Sequence, residues 1–121
     1  MNWAVYLIRN NINKKVYIGI TNEKYKDIYD RFRDHINIAK NGGRVTRSGS
    51  PFPIYAAISK YGAKNFTIEY LENYLSLEEA QQQEIFYIEK YNSLAAGTYS
   101  DGYNLTYGGE DPDWDPDDWW N

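Results

Sequence analysis

The chain has 121 residues, no cysteine, and a formal net charge of −4 from 13 lysines and arginines against 17 aspartates and glutamates. This length suits one domain with its own core, and the lack of cysteine excludes disulfides and cysteine-ligated zinc. No long apolar run indicates a signal peptide or a membrane span, so we expect an intracellular protein with no membrane partner.

The acidic residues are concentrated at the end of the chain. Residues 110–121 hold six acids, three tryptophans and no base, so residues 1–109 carry 13 bases against the remaining 11 acids, a net of +2. Alternating acidic, aromatic and proline residues do not form a stable helix or strand alone. We therefore expect one domain over residues 1–109 and a disordered tail over residues 110–121. The alternative is a tail that docks on a partner or on the basic surface of its own domain.

The first predicted element is a β-hairpin. Apolar residues fill positions 5–8 and 16–20, and a polar turn over residues 10–15 separates them. Tyr6 and Tyr17 lie on the two strands, where either one taken alone is far more often a packing residue than a catalyst.

A helical pattern follows over residues 27–40. His35 lies at the edge of its apolar face, and Arg31, one turn earlier, points the same way. A lone histidine beside a core is more often a hydrogen-bonded structural residue than a catalyst, although its pairing with an arginine favours a functional role. The residues predicted to be buried on this helix are Ile28, Phe32, Ile36 and Ala39.

Basic residues dominate the stretch from residue 31 to residue 64, where Asp34 is the only acid. An excess of this kind predicts a DNA-binding surface, but a solvated face with a chance surplus of bases explains it equally well. The basic residues of the stretch are Arg31, Arg33, Lys40, Arg44, Arg47, Lys60 and Lys64.

A second helix is predicted over residues 54–60, a third strand over 66–71, and a third helix from residue 77 to about 91. Ser76 and Glu79 match a capping box at the start of the third helix. Glu84 falls in the middle of the apolar stripe of that helix. A carboxylate that faces a core needs a partner, and we interpret that partner as a metal ion.

The order and the motifs of these elements resemble the GIY-YIG nuclease family over about residues 3–109, most closely its phage and intron homing-endonuclease branch. The resemblance implies an α+β fold, a three-stranded antiparallel sheet flanked by helices in the order β-β-α-α-β-α. The residues that carry it are Ala4-Val5-Tyr6, Tyr17-Ile18-Gly19, Arg31 with His35 one turn later, Glu84, and Gly102-Tyr103-Asn104-Leu105.

The resemblance also implies an activity and its residues: a metal-dependent endonuclease that hydrolyses DNA phosphodiester bonds with one Mg²⁺ or Mn²⁺ per site. Arg31 corresponds to the catalytic arginine, Glu84 to the metal ligand and Asn104 to the asparagine that supports the site. The family favours Tyr6 or Tyr17 as general base, with His35 hydrogen-bonded to a tyrosine. Because a phenol is only ~0.1% ionised at pH 7, His35 is the easier base on pKa alone, and the choice stays open.

No zinc finger, helix-turn-helix or other targeting motif is recognisable. We therefore expect a stand-alone phage or mobile-element nuclease of low intrinsic specificity, working in its host's cytoplasm. A dimer, a protein partner or the loop over residues 44–50 would have to supply any strict specificity. The alternative is a non-catalytic, nuclease-derived binding module for DNA or protein, regulated by its acidic tail. The joint presence of the site residues argues against the alternative.

Overall fold

A three-stranded sheet forms the centre of the computed structural model, which describes residues 1–45, 49, 51–95, 102–106 and 108. Strand β1 pairs antiparallel with β2 on one side and with β3 on the other, so the order is β2-β1-β3. The predicted α+β fold and its element order are confirmed. The elements are β1 (Trp3–Asn10), β2 (Val16–Asn22), α1 (Ile28–Lys40), α2 (Pro53–Tyr61), a 3-10 turn (Ala63–Asn65), β3 (Phe66–Leu75) and α3 (Leu77–Lys90).

The two faces of the sheet are covered by different helices. Side chains alternate along a strand, so Tyr6 and Ile8 of β1 point to the face covered by α1 and α2. Val5 and Leu7 point to the opposite face, where they pack against Ala80 and other residues of α3. Each face therefore has its own apolar cluster, and β1 contributes to both.

The helix ends follow local sequence signals. The Ser76 side chain accepts a hydrogen bond from the Glu79 N–H, and the Glu79 carboxylate accepts one from the Ser76 N–H, so the predicted capping box of α3 is confirmed. Asp27 and Asp30 form a second capping box at the start of α1. Helix α2 begins one residue earlier than predicted, at Pro53, because the fixed φ of proline suits a first helical position.

The buried face of α1 differs from the prediction. Ile36 is only half-buried, whereas His35, predicted at the edge, is 1% exposed and faces the interior. The imidazole is surrounded by tyrosine rings from β1, β2 and α2. These aromatic partners come from distant parts of the chain. Their contacts with His35 orient α1 so that its His35 side faces the interior.

The outer edge of β2 is covered by residues 102–104. Gly102 forms a parallel bridge with Val16, and the Tyr103 N–H donates to the Val16 carbonyl at 3.0 Å. This segment brings the end of the described chain back to the strand that carries Tyr17. The predicted tail, residues 110–121, lies outside the described residues.

The described part of the chain contains no helix with both the length and the apolar character that a bilayer crossing requires.

Candidate active site

Four aromatic rings meet on the face covered by α1 and α2. The His35 ring centre lies 6.3 Å from that of Tyr6, 5.4 Å from that of Tyr17 and 5.6 Å from that of Tyr55. The Tyr17 and His35 rings meet edge to face, a favourable aromatic geometry. The structure thus brings together three residues that the sequence analysis selected, and adds Tyr55.

The absence of a side chain at Gly19 leaves room for the Tyr6 ring. The two residues are directly opposite each other in the β1–β2 ladder. A Cβ atom at position 19 would lie 2.4 Å from both Cζ and the hydroxyl oxygen of Tyr6, closer than atoms can approach. The tyrosine ring therefore lies across the bare glycine backbone, which is a physical reason for glycine two residues after Tyr17.

The Tyr6 hydroxyl oxygen lies 3.0 Å from Nε2 of His35, within a buried hydrogen bond. The expected bond between His35 and a tyrosine is therefore present. Burial and the nearby positive charge of Arg31 lower the pKa of His35 from 6.5 to about 3. The imidazole is neutral at physiological pH and a weak base, so the advantage that an ordinary pKa gives it as general base is lost in this fold.

A carboxylate lies between two cationic side chains next to this cluster. One oxygen of Asp34, Oδ2, lies 2.6 Å from Nζ of Lys26 and 3.7 Å from an Arg31 guanidinium nitrogen. Both cations therefore approach the same oxygen of Asp34. All three side chains are partly exposed, so this group can be reached from solvent.

Glu84 lies on the other side of the sheet, on α3. It is half-buried between Ala80 and Ile88, one turn before and one turn after it, which are both buried. A Cβ at Gly108 would lie 3.0 Å from Oε1 of Glu84, so the backbone of residue 108 packs directly against this carboxylate. Glu84 and the phenols therefore lie on different sides of the sheet. The predicted shared site would have to form around the outer edge of β2.

The carboxylate chemistry of the site suits a hard divalent cation with few protein ligands. Among the described residues no three histidine, cysteine or acidic side chains group together as a metal cage. Mg²⁺ commonly uses one or two carboxylates and keeps several waters or substrate phosphate oxygens. Glu84 alone fits that pattern, because its half-buried carboxylate supplies a fixed anionic ligand and leaves the other positions to water and substrate.

Asn104 lies at the free edge of β2. Its side-chain oxygen accepts from the Ile18 N–H at 2.9 Å, and its side-chain nitrogen donates to the Ile18 carbonyl at 2.8 Å. The amide thus replaces a neighbouring strand for the residue next to Tyr17. The supporting role that the resemblance implies for Asn104 stays a prediction.

The predicted basic surface is partly neutralised. Arg33 donates to Asp30 at 3.1 Å, and Lys60 lies over the ring of Tyr61. Lys40 and Lys64 are exposed, and Arg44 is half-buried. Arg47 lies outside the described residues.

Tyr55 was not identified from the sequence, and the contact between Lys26 and Asp34 was not predicted. Tyr55 is one of 13 tyrosines, and no pattern distinguishes it before the structure places it against His35. Lys26 lies outside the basic stretch and in a polar loop, so its approach to Asp34 becomes visible only when α1 is folded against that loop.

Comparisons with known proteins identify the family of this chain. The GIY-YIG catalytic domain matches residues 2–100. Because this match includes most of the chain, the protein belongs to the GIY-YIG nuclease family, as its motifs predicted.

A phage protein is similar to this chain in sequence. The chain is 30% identical over 100 residues to a protein of Enterobacteria phage T4 named "Putative endonuclease segD". The matched region covers 83% of this chain and 37% of that protein. The chain therefore spans little more than a third of the length of this relative.

Solved structures of the catalytic domain of the endonuclease I-TevI have a similar fold. A substituted variant of that domain, described as from an intron endonuclease, matches with a TM-score of 0.68 at 23% identity, over 89% of this chain and 97% of that one. A second structure, described as from a homing endonuclease, gives 0.66 at 24% identity over 86% and 98%. These likenesses confirm the predicted nuclease fold.

Proposed function

We propose that this protein is a metal-dependent endonuclease that hydrolyses phosphodiester bonds in DNA. The observation that carries the proposal is the cluster of Tyr6, Tyr17 and His35 beside Arg31, held together on one face of the sheet. A phenol pair with a neutral imidazole and an adjacent guanidinium provides a proton acceptor and a phosphate ligand in one place.

The Tyr6–Tyr17 pair supplies the general base, and His35 supports it. Nδ1 of His35 is buried without a hydrogen-bond partner, and a buried unpaired N–H is more costly than an unpaired acceptor. The proton of the neutral ring therefore belongs on Nε2, where it is donated to the Tyr6 oxygen. A donated bond stabilises the phenolate form, and Tyr17, which is only half-buried, gives the pair its solvent-accessible ring.

Arg31 binds the scissile phosphate. A guanidinium can donate two parallel hydrogen bonds to phosphate oxygens, and these bonds strengthen as negative charge develops in the transition state. Lys26 adds a second cation at the same position, because Asp34 holds both groups. In this proposal the phosphate lies against Arg31 and Lys26 on the exposed side of Asp34.

Glu84 would hold one Mg²⁺ or Mn²⁺, and the bound ion would supply Lewis-acid stabilisation of the charge that develops on the phosphate. The protein supplies the carboxylate, which α3 carries and which packs against the backbone of Gly108. The remaining ligands are water and the substrate.

A plasmid-nicking assay with and without EDTA tests the proposal, using the wild type and Glu84→Gln. Glutamine keeps the size of the side chain and removes its charge, so we expect loss of cleavage by about 10³-fold with unchanged DNA binding. Cleavage that persists in EDTA, or in the Glu84→Gln protein, would refute metal dependence through this residue. DNA binding by the wild type without any cutting would instead support the non-catalytic binding module.

We further propose a phage or mobile-element origin, an intracellular location and weak sequence specificity for residues 1–109 alone, with a protein partner or a dimer supplying any strict specificity. A footprint confined to one defined site at nanomolar protein would contradict weak specificity.

The acidic tail, residues 110–121, is proposed to compete with DNA for the basic surface. Truncation after residue 109 should then raise DNA affinity, and unchanged affinity and cutting would dismiss that role.

A further inference from the structure

The outer edge of β2 is held in an unusual way. The N–H and C=O of Ile18 point away from β1, and the side-chain amide of Asn104 binds both of them. The neighbouring Val16 carbonyl accepts from the Tyr103 backbone at 3.0 Å. Tyr17 is therefore bracketed on both sides by contacts to this short segment, so its position depends on where the segment is fixed.

Ser93 fixes that segment to α3. Its hydroxyl donates to the Asn104 side-chain oxygen at 2.8 Å, and its carbonyl accepts from the Asn104 N–H at 2.8 Å. Its own N–H donates to the carbonyl of Ile88, in the last turn of α3, at 3.0 Å. Ser93 is fully buried, and its polar groups link the end of α3 to Asn104.

Close packing fixes the segment of residues 102–104 against the backbone of Ser93. A Cβ at Gly102 would lie 2.2 Å from the Ser93 Cα, so the two backbones cross in direct contact. Four residues after Asn104, Gly108 packs against Glu84 of α3. The same segment thus touches the strand of Tyr17 at one end and the proposed metal ligand at the other.

We propose that Ser93 is a positioning residue of the nuclease site: through Asn104 it sets the β2 strand at Tyr17 relative to α3, which carries Glu84. The inference rests on the proposed function for the roles of Tyr17 and Glu84. The hydroxyl acts by adding a second donor to the Asn104 oxygen, which fixes the amide against Ile18. Ser93 itself is buried and does not contact substrate.

Ser93→Ala tests the proposal, because it removes one oxygen from a fully buried site and leaves the backbone contacts. We expect kcat for plasmid nicking to fall about tenfold, less than the 10²-fold of a 1 Å misplacement, with KM unchanged. The matched control is Ser76→Ala, which removes the N-cap of the same helix and costs about 1 kcal/mol of stability. Both proteins are assayed well below their melting temperatures, where both are folded.

Hydrogen exchange at the Ile18 amide provides a second measurement that does not depend on activity. Exchange should be about tenfold faster in Ser93→Ala and unchanged in Ser76→Ala. If the wild type fails to cut DNA, the proposed function fails, while the exchange result still decides whether Ser93 positions β2.

A double-mutant cycle completes the test. If Ser93 acts through Asn104, Ser93→Ala has no further effect on kcat in an Asn104→Ala protein; should that protein not fold, the comparison with Ser76→Ala decides. Equal kcat for Ser93→Ala and wild type, or an equal loss in both serine variants, would overturn the proposal.

Discussion

The two faces of the sheet carry the two halves of the proposed site in different ways. On one face, Tyr6, Tyr17 and His35 are held by interlocking rings, and each ring limits the positions open to the others. On the other face, a single half-buried carboxylate, Glu84, is placed by a helix and by close contact with Gly108. Packing thus defines the first half, whereas the second depends on the segment that connects α3 to the edge of β2.

Apart from Glu84→Gln, the largest effect is expected for Arg31, which lies beside the ring cluster. Arg31→Ala should reduce the cleavage rate by about 10²- to 10³-fold, by analogy with the loss of one oxyanion donor. Arg33→Ala is the control, since Arg33 lies two residues further on α1, is 67% exposed and pairs with Asp30. Single-turnover rates measure both, and comparable losses would show that general charge, not the position of Arg31, is what matters.

A pair of glycine substitutions compares the two faces directly. Gly19→Ala forces a Cβ into the Tyr6 ring and should destabilise the fold by about 1–3 kcal/mol, as overpacking of a core does. Gly108→Ala instead places a Cβ 3.0 Å from both the Glu84 carboxylate and Ile88, at a φ of +89° that favours glycine, so it should displace Glu84 and raise the Mg²⁺ concentration needed for half-maximal cutting.

Urea unfolding and Mg²⁺ titration of both variants distinguish the faces. Adding Tyr6→Leu to Gly19→Ala should restore part of the stability, because the shorter side chain makes room for the new methyl group. A Gly108→Ala protein with an unchanged Mg²⁺ response would mean that residue 108 does not constrain Glu84.

The pH dependence of stability tests the buried histidine. The folded state holds His35 neutral, with its pKa lowered from 6.5 to about 3, while the unfolded chain takes up a proton below pH 6.5. The unfolded state therefore binds more protons in this range, and stability falls as the pH is lowered from about 6.5 towards 3. The contribution lost between pH 7 and pH 5 is about 2 kcal/mol.

Urea unfolding at the two pH values measures this loss. His35→Phe removes the titrating group and should show a smaller drop in the free energy of unfolding between pH 7 and pH 5. If wild type and variant lose the same amount, the histidine is not the group responsible.

The smallest effect concerns Lys26, which Asp34 holds beside Arg31. Lys26→Gln should weaken DNA binding modestly and reduce the slope of log affinity against log salt by about 0.9, the value for one phosphate contact. Lys24→Gln is the matched control, because Lys24 lies in the same loop and is exposed beside Tyr25. Equal slopes for the two variants would remove Lys26 from the phosphate site.

Local signals predicted the elements well and the rotation of α1 badly. The capping box at Ser76 and the apolar run of β1 depend on neighbouring residues, so the sequence contains all the information they need. The burial of His35 depends on Tyr6, Tyr17 and Tyr55, which come from three other elements. A helical wheel contains no information about these partners, and it therefore placed Ile36 inside and His35 at the edge.

The sequence by itself determined the family and the order of the elements, because motifs and periodicities are properties of the chain, and the resemblance to that family supplied the candidates Tyr6, Tyr17, Arg31, His35, Glu84 and Asn104. Only the tertiary structure decided that His35 is neutral, that Gly19 must lack a side chain, and that Ser93 connects α3 to Asn104. Each of these depends on atoms that are distant in sequence and become neighbours when the sheet and helices pack.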